Sequence, residues 1–120
     1  MIRCALVTIG DEILYGNIDD TNATWLSQRL TDSGAIVSTR ITVGDGLDDI
    51  QGALEVALNR AEVVIVTGGL GPTQDDKTRE AIAGFCKRPL VRDEGLACSL
   101  EKHFVPRGPQ VVALNQKLAW

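Results

Sequence analysis

The sequence predicts an α/β domain: a parallel sheet with helices on both faces. Three observations carry this prediction. Arg3–Ile9 is mostly apolar and β-rich, and Val63–Val66 is an unbroken apolar run, as in strands covered on both sides. Segments of helical periodicity alternate with the strand segments. Glycine-rich turns follow the strand ends, which gives the order βαβαβα and argues for crossover connections.

The elements follow in order. Arg3 to Ile9 reads as a buried strand that Gly10 ends. A polar loop, Gly10-Asp11-Glu12, leads on to Gly16-Asn17. The next helix is capped by Asp20 or Thr21, carries Ala23, Leu26 and Leu30 on one face, and stops before Gly34. Ala35 to Val43 is the second strand, and Gly44-Asp45-Gly46 turns the chain. A helix over Asp48 to Arg60 turns Ile50, Ala53, Leu54, Ala57 and Leu58 inward. The four β-branched residues Val63-Val64-Ile65-Val66 read as the central strand of the sheet. The third helix is expected from Asp75-Asp76 to about Phe85, with Asp75 or Asp76 as its cap and Ala81, Ile82 and Phe85 inward. Pro89 to Val91 reads as a short extended piece, and Glu94 to Phe104 as a helix with Leu96, Leu100 and Phe104 in one stripe. Pro106 to Pro109 forms a loop, and Val111 to Trp120 a last, shorter helix.

Composition bounds the function. At 120 residues the chain is one domain. Its 12 Lys+Arg against 16 Asp+Glu give a net charge of −4, and aromatics are only 4%. Both argue against a nucleic-acid partner, because phosphate neutralisation needs surplus cations and single strands need stacking rings. No apolar run approaches the roughly 20 residues of a spanning helix, so no membrane role is expected. Cys4, Cys86 and Cys98 are odd in number and form no C-x-x-C pair. They are read as reduced thiols of a cytoplasmic protein, with Cys4 and Cys86 at least half buried. His103, the single histidine, is expected on the surface, and Trp25 and Trp120 in packing or interface roles.

Open parallel sheets bind ligands beyond the carboxyl ends of their strands. Three loops leave those ends. They carry Asp11 and Glu12, then Asp45, then Gly68-Gly69-Leu70-Gly71-Pro72-Thr73-Gln74-Asp75-Asp76-Lys77-Thr78. Glycines let the backbone approach a ligand closely, and their amides bind anions. The third loop matches neither a Walker A loop nor a dinucleotide fingerprint. Its carboxylates repel phosphate unless a divalent cation lies between, and Mg²⁺ uses one or two carboxylates together with phosphate oxygens. A metal–phosphate site is therefore expected, with Asp11, Glu12, Asp45, Asp75 and Asp76 as its candidate carboxylates. Gly10, Asp11, Glu12, Thr67, Gly68, Gly69, Gly71, Thr73, Asp75 and Thr78 are the candidate phosphate- and ligand-binding set. Lys77 or Arg79 would offset charge. Each carboxylate read singly also fits a turn or helix-cap role.

The stretch Thr8-Ile9-Gly10-Asp11-Glu12-Ile13-Leu14-Tyr15-Gly16-Asn17-Ile18, followed by Asp20-Thr21-Asn22-Ala23, resembles the opening of the CinA competence/damage-inducible proteins. Thr42-Val43-Gly44-Asp45 and Thr67 through Thr78 match the same family. Asn115-Gln116-Lys117-Leu118-Ala119 resembles its asparagine–lysine–glutamine–alanine stretch, with Leu118 in place of the glutamine. The resemblance covers essentially the whole chain. It implies a three-layer α/β/α sandwich of the molybdopterin-binding MoaB/MogA type, occupying residues 1–120 and lacking the carboxy-terminal part of the family domain. It implies functional aspartates at Asp45 and Asp76, as catalytic residues and metal ligands, and a glycine turn that holds a pterin or nucleotide phosphate. It also implies metal-dependent hydrolysis of ADP-ribose, with the family's nicotinamide-mononucleotide deamidase domain absent. Two alternatives stand beside hydrolysis: a non-catalytic module for molybdopterin or a nucleotide, and a structural remnant that assembles as a homo-oligomer.

Overall fold

The computed structural model describes all 120 residues. Three strands form one parallel sheet: β1 (Arg3–Ile9), β2 (Ile36–Val43) and β3 (Val63–Thr67). Their order is β2-β1-β3. The strand expected at the centre, β3, is therefore an edge, and β1 is the centre. A parallel strand with both faces covered reads as the same continuous apolar run whether or not both its edges are paired. Burial separates the two strands. Cys4 to Ile9 are all buried, whereas Val63 is exposed and the rest of β3 only half buried. One register shift lies opposite Cys4 and Ala5.

The alternation of β1 defines the layers. Ala5, Val7 and Ile9 join Ile50, Ala53, Leu54 and Ala57 of α3 (Leu47–Arg60), and Ala81 of α4 (Thr78–Cys86), in the main core. The intervening residues of β1 face the other way. On that side α2 (Thr21–Asp32) packs against β1 and β2 and buries Ala23. Helices thus cover both faces, as the sequence predicts. Asp20 caps α2, accepting a hydrogen bond from the Ala23 amide at 3.0 Å.

Several local expectations are corrected. Asp11–Leu14 is a one-turn helix, α1, rather than open loop. Leu58 is exposed, because the inward stripe of α3 runs through Ala53, Leu54 and Ala57 and Leu58 lies beside it. Cys86 is exposed at the end of α4, where the buried stripe has passed to Ile82 and Phe85. Cys4 is buried as expected. Residues 89–91 form no strand. Trp25 and Trp120 both stay about half exposed, and the Arg29 guanidinium lies 5.3 Å from the Trp25 ring centre.

The remaining chain comprises α5 (Glu94–Phe104), a 3₁₀ turn at Val105–Arg107, α6 (Pro109–Asn115) and a 3₁₀ turn at Gln116–Ala119. Two short 3₁₀ turns and a seven-residue helix thus replace the expected loop and single final helix. These elements pack mainly on one another, beside the sheet rather than across it. The radius of gyration, 16.0 Å, accordingly exceeds the ~14 Å of a compact chain of this length.

Candidate functional site

All three predicted loops leave the same edge of the sheet, as parallel pairing requires. The Gly10 amide donates to the Val43 carbonyl at 3.0 Å, which ties the end of β1 to the end of β2. Gly68 approaches β1 so closely that a Cβ there would lie 2.0 Å from the Ile9 carbonyl oxygen, and its φ is +89°. Only glycine fits such a position. Gly10, Asp45 and Gly68 are thereby held side by side.

Asp11 reaches across this edge. Its Oδ1 accepts from the Asp45 amide at 2.9 Å, which fixes the second loop to the first. A Cβ on Gly44 would lie 2.4 Å from that oxygen, so glycine makes room for the contact. Burial, then the negative charges of Asp11, Glu12 and Asp75, push the pKa of the Asp45 carboxyl above the ordinary carboxylate value, against a lowering from the Asp11 backbone amide that bonds to it.

The third loop is held by its carbonyls. Thr78, only 1% exposed, donates its hydroxyl to the Gly68 carbonyl at 2.7 Å. Arg79 donates to the Leu70 and Gly71 carbonyls at 2.6 and 2.8 Å. Lys117 donates to the Thr73 carbonyl at 2.6 Å and also to the Asp76 carbonyl. The amides of Gly68, Gly69 and Leu70 donate to nothing within the protein. Gly68 and Gly69 have φ of +89° and +64°. A loop with its carbonyls tied back and consecutive amides free has the form of a nest, a backbone arrangement able to take an anion. Thr78 and Arg79 therefore act through the loop's shape.

Asp76 does not cap α4, which begins two residues later with no side-chain cap. Its Oδ2 instead accepts from the Thr73 amide at 3.0 Å and the Thr73 hydroxyl at 2.7 Å. Burial raises its pKa, but the bonds from Thr73, the Gly71 amide and the charge of Lys117 outweigh burial and hold the carboxyl below its ordinary value. Asp45 and Asp76, the two carboxylates singled out by the sequence, are thus shifted in opposite directions. No three carboxylates, thiols or imidazoles converge as a preformed metal cage. The donor set fits a cation that arrives with substrate phosphate and uses one or two carboxylates.

Lys117 is the residue that sequence reasoning left without a role. Its signal was present in the Asn115–Ala119 stretch, but its partners lie 44 and 41 residues upstream. Glu80 adds an ion pair with it at 3.6 Å. His103 is exposed on α5, as expected. No helix is long and apolar enough to cross a membrane.

A parallel α/β sheet with a glycine-rich loop and several carboxylates at its carboxyl edge defines a class of ligand-binding domains. The chain belongs to the family described as probable molybdopterin binding domain, which matches residues 5–115. It is 50% identical over 107 residues to a CinA-like protein of Frankia casuarinae, covering 89% of this chain and 25% of that protein. It is 40% identical over 115 residues to a putative competence-damage inducible protein of Caldicellulosiruptor saccharolyticus, covering 96% of this chain and 28% of that one. The chain thus spans about a quarter of the length of these relatives. Among solved structures, a CinA protein from Thermoplasma acidophilum superposes with a TM-score of 0.84 at 35% identity, over 94% of this chain and 68% of that one. MoaB from Thermus thermophilus shares the fold, with a TM-score of 0.66 at 23% identity over 97% of this chain and 72% of that one. The α/β sandwich of the MoaB/MogA type expected from the sequence is therefore the fold of this chain.

Proposed function

We propose that this domain binds a phosphate-bearing pterin or nucleotide and hydrolyses a phosphoanhydride such as that of ADP-ribose. One observation carries the reading: the free amides of Gly68, Gly69 and Leu70 lie on the same sheet edge as Asp45 and Asp76. The amides would hold one phosphate and stabilise charge that develops on its oxygens. Asp76, ionised and fixed through Oδ2, would offer Oδ1 to a divalent cation, which leaves Asp45 to orient the attacking water. That cation would supply Lewis-acid stabilisation of the anhydride oxygens. Asp45, with its raised pKa, accepts the proton of the attacking water. The water oxygen bonds to phosphorus, the anhydride P–O bond breaks, and ADP-ribose yields AMP and ribose 5-phosphate. Two carboxyls driven apart in pKa are the pattern expected of such a division of labour.

A calorimetric titration with ADP-ribose, with and without Mg²⁺, followed by assay for AMP, tests this reading. Binding with AMP release is expected, and Asp76→Asn should lower turnover at least 100-fold while the fold persists. Undiminished turnover in that variant refutes the catalytic assignment. The family description favours a second reading, a pterin- or nucleotide-binding module without chemistry. Binding without AMP release would select it.

A further inference from the structure

The two outer strands finish the sheet in different ways. β2 is guarded. Ser38 is an extra residue in its ladder, because Cys4 pairs with Val37 and Ala5 with Thr39. The Ser38 hydroxyl donates to the Cys4 carbonyl at 3.2 Å and so stitches this bulge to β1. Arg40, exposed at mid-strand, adds a charge. A bulge and a mid-strand charge are the devices that keep a sheet edge from pairing with another chain.

β3 carries neither. Its ladder with β1 runs from Cys4–Val63 to Thr8–Thr67 without a shift. Its residues, Val63, Val64, Ile65, Val66 and Thr67, are all β-branched and uncharged. Val64 and Val66 border the main core beside α3. On the opposite face α2 packs against β1 and β2, and Val63 is 42% exposed. Every second residue of an edge strand turns its amide and carbonyl away from its one neighbour. No loop backbone bonds to those groups of β3. The edge is therefore a row of open donors and acceptors with no charge to blunt it.

A second copy of the chain fits this edge. Two β3 strands related by a two-fold axis through Ile65 run antiparallel. Val63 then faces Thr67, Val64 faces Val66 and Ile65 faces itself. Every pair is β-branched and no like charges meet, which favours cross-strand contact. The union is isologous and consumes both β3 edges, so only the guarded β2 edges stay outside and assembly stops at two.

We propose that two copies of this chain join through β3 into one continuous sheet, β2-β1-β3 of one protomer followed by β3-β1-β2 of its partner. The two glycine loops then lie at opposite ends of the dimer. The inference rests on the strand edges and is independent of the ligand reading above.

A five-residue strand edge is a small interface, so a reversible dimer with a Kd of roughly 1–100 µM is expected. Sedimentation velocity across that concentration range measures it. Ile65→Lys sets two ammonium groups opposite each other and should weaken the dimer at least about tenfold. Thr42→Lys, exposed on β2, should leave it unchanged. Circular dichroism checks the fold of each variant, and Val63→Lys, at an exposed position, serves if Ile65→Lys unfolds the chain. Hydrogen exchange of the β3 amides should slow as concentration rises, while that of the β2 amides stays the same. A monomer throughout the range, assemblies larger than two, a dimer that survives lysine in β3 or one lost with Thr42→Lys would each overturn the proposal.

Discussion

Replacing Lys117 with methionine keeps the aliphatic stem and removes the ammonium that joins the end of the chain to the glycine loop. The ammonium donates to the Thr73 and Asp76 carbonyls and pairs with Glu80 at 3.6 Å. The Glu80 side chain is 42% exposed, so that ion pair contributes little. The Lys117 side chain is 25% exposed, so its two hydrogen bonds carry most of the effect. Hydrogen bonds from a charged donor are worth about 1.5–3 kcal/mol, less where the freed carbonyls can rehydrate. The expected loss is about 2 kcal/mol, or a fall in Tm of about 6–10 °C for a chain of this length. Thermal denaturation followed by circular dichroism measures it. Asp76 should respond as well, because Lys117 helps to hold its pKa down. Carboxyl-detected NMR titration should find that pKa moved up towards 3.8, its ordinary value, in Lys117→Met, and largely restored in Lys117→Arg. A Tm within about 1 °C of the parent, together with an unmoved Asp76, would refute the view that this lysine fastens the loop.

Gly68→Ala forces a Cβ to within 2.0 Å of a backbone oxygen at a φ of +89° and should cost more than about 3 kcal/mol in urea unfolding; an unchanged midpoint would contradict the close approach of β3 to β1. Asp45 has a folded pKa above its ordinary 3.8, so the folded state binds its proton more tightly, and stability falls as pH rises through the window above 3.8. Asp45→Asn should therefore narrow that pH dependence and unfold at a higher temperature than the parent at neutral pH, read by melts between pH 3 and 7. Asp76 has the opposite sign. Its lowered pKa contributes stability that is present above 3.8 and lost as pH falls below it, so Asp76→Asn should be less stable than the parent at pH 6 and approach it near pH 2.

Much of the fold was legible because its signals are local. The apolar run from Cys4 to Ile9, the Asp20 cap before Ala23 and the stripe of Ile50, Ala53, Leu54 and Ala57 each encode an element within a few residues. The resemblance of Thr67–Thr78 and of the opening motif carried the family, and with it the MoaB/MogA fold. The glycines at Gly68 and Gly69 announced a turn that only positive φ could make, and the structure gives them that φ.

The site was legible in its parts and not in its wiring. The sequence brought Asp45 and Asp76 to one edge, but not the bond from the Asp45 amide to Asp11 across 34 residues. Nor did it give the capture of Asp76 by Thr73, because a carboxylate one or two residues before a helix reads as a cap unless the loop offers it a better donor.

By itself, then, the sequence determined the three strands, helices α2 to α5, the parallel arrangement and the family to which the chain belongs. These rest on periodicity and on motifs contiguous in the chain. Tertiary structure alone decided that β1 rather than β3 is central, that Cys86 and Leu58 face water, and that Lys117 closes on the glycine loop. The physical reason is common to all three. Each depends on which distant segment fills the space beside a residue, and hydrophobic pattern records whether a residue is covered but not by what.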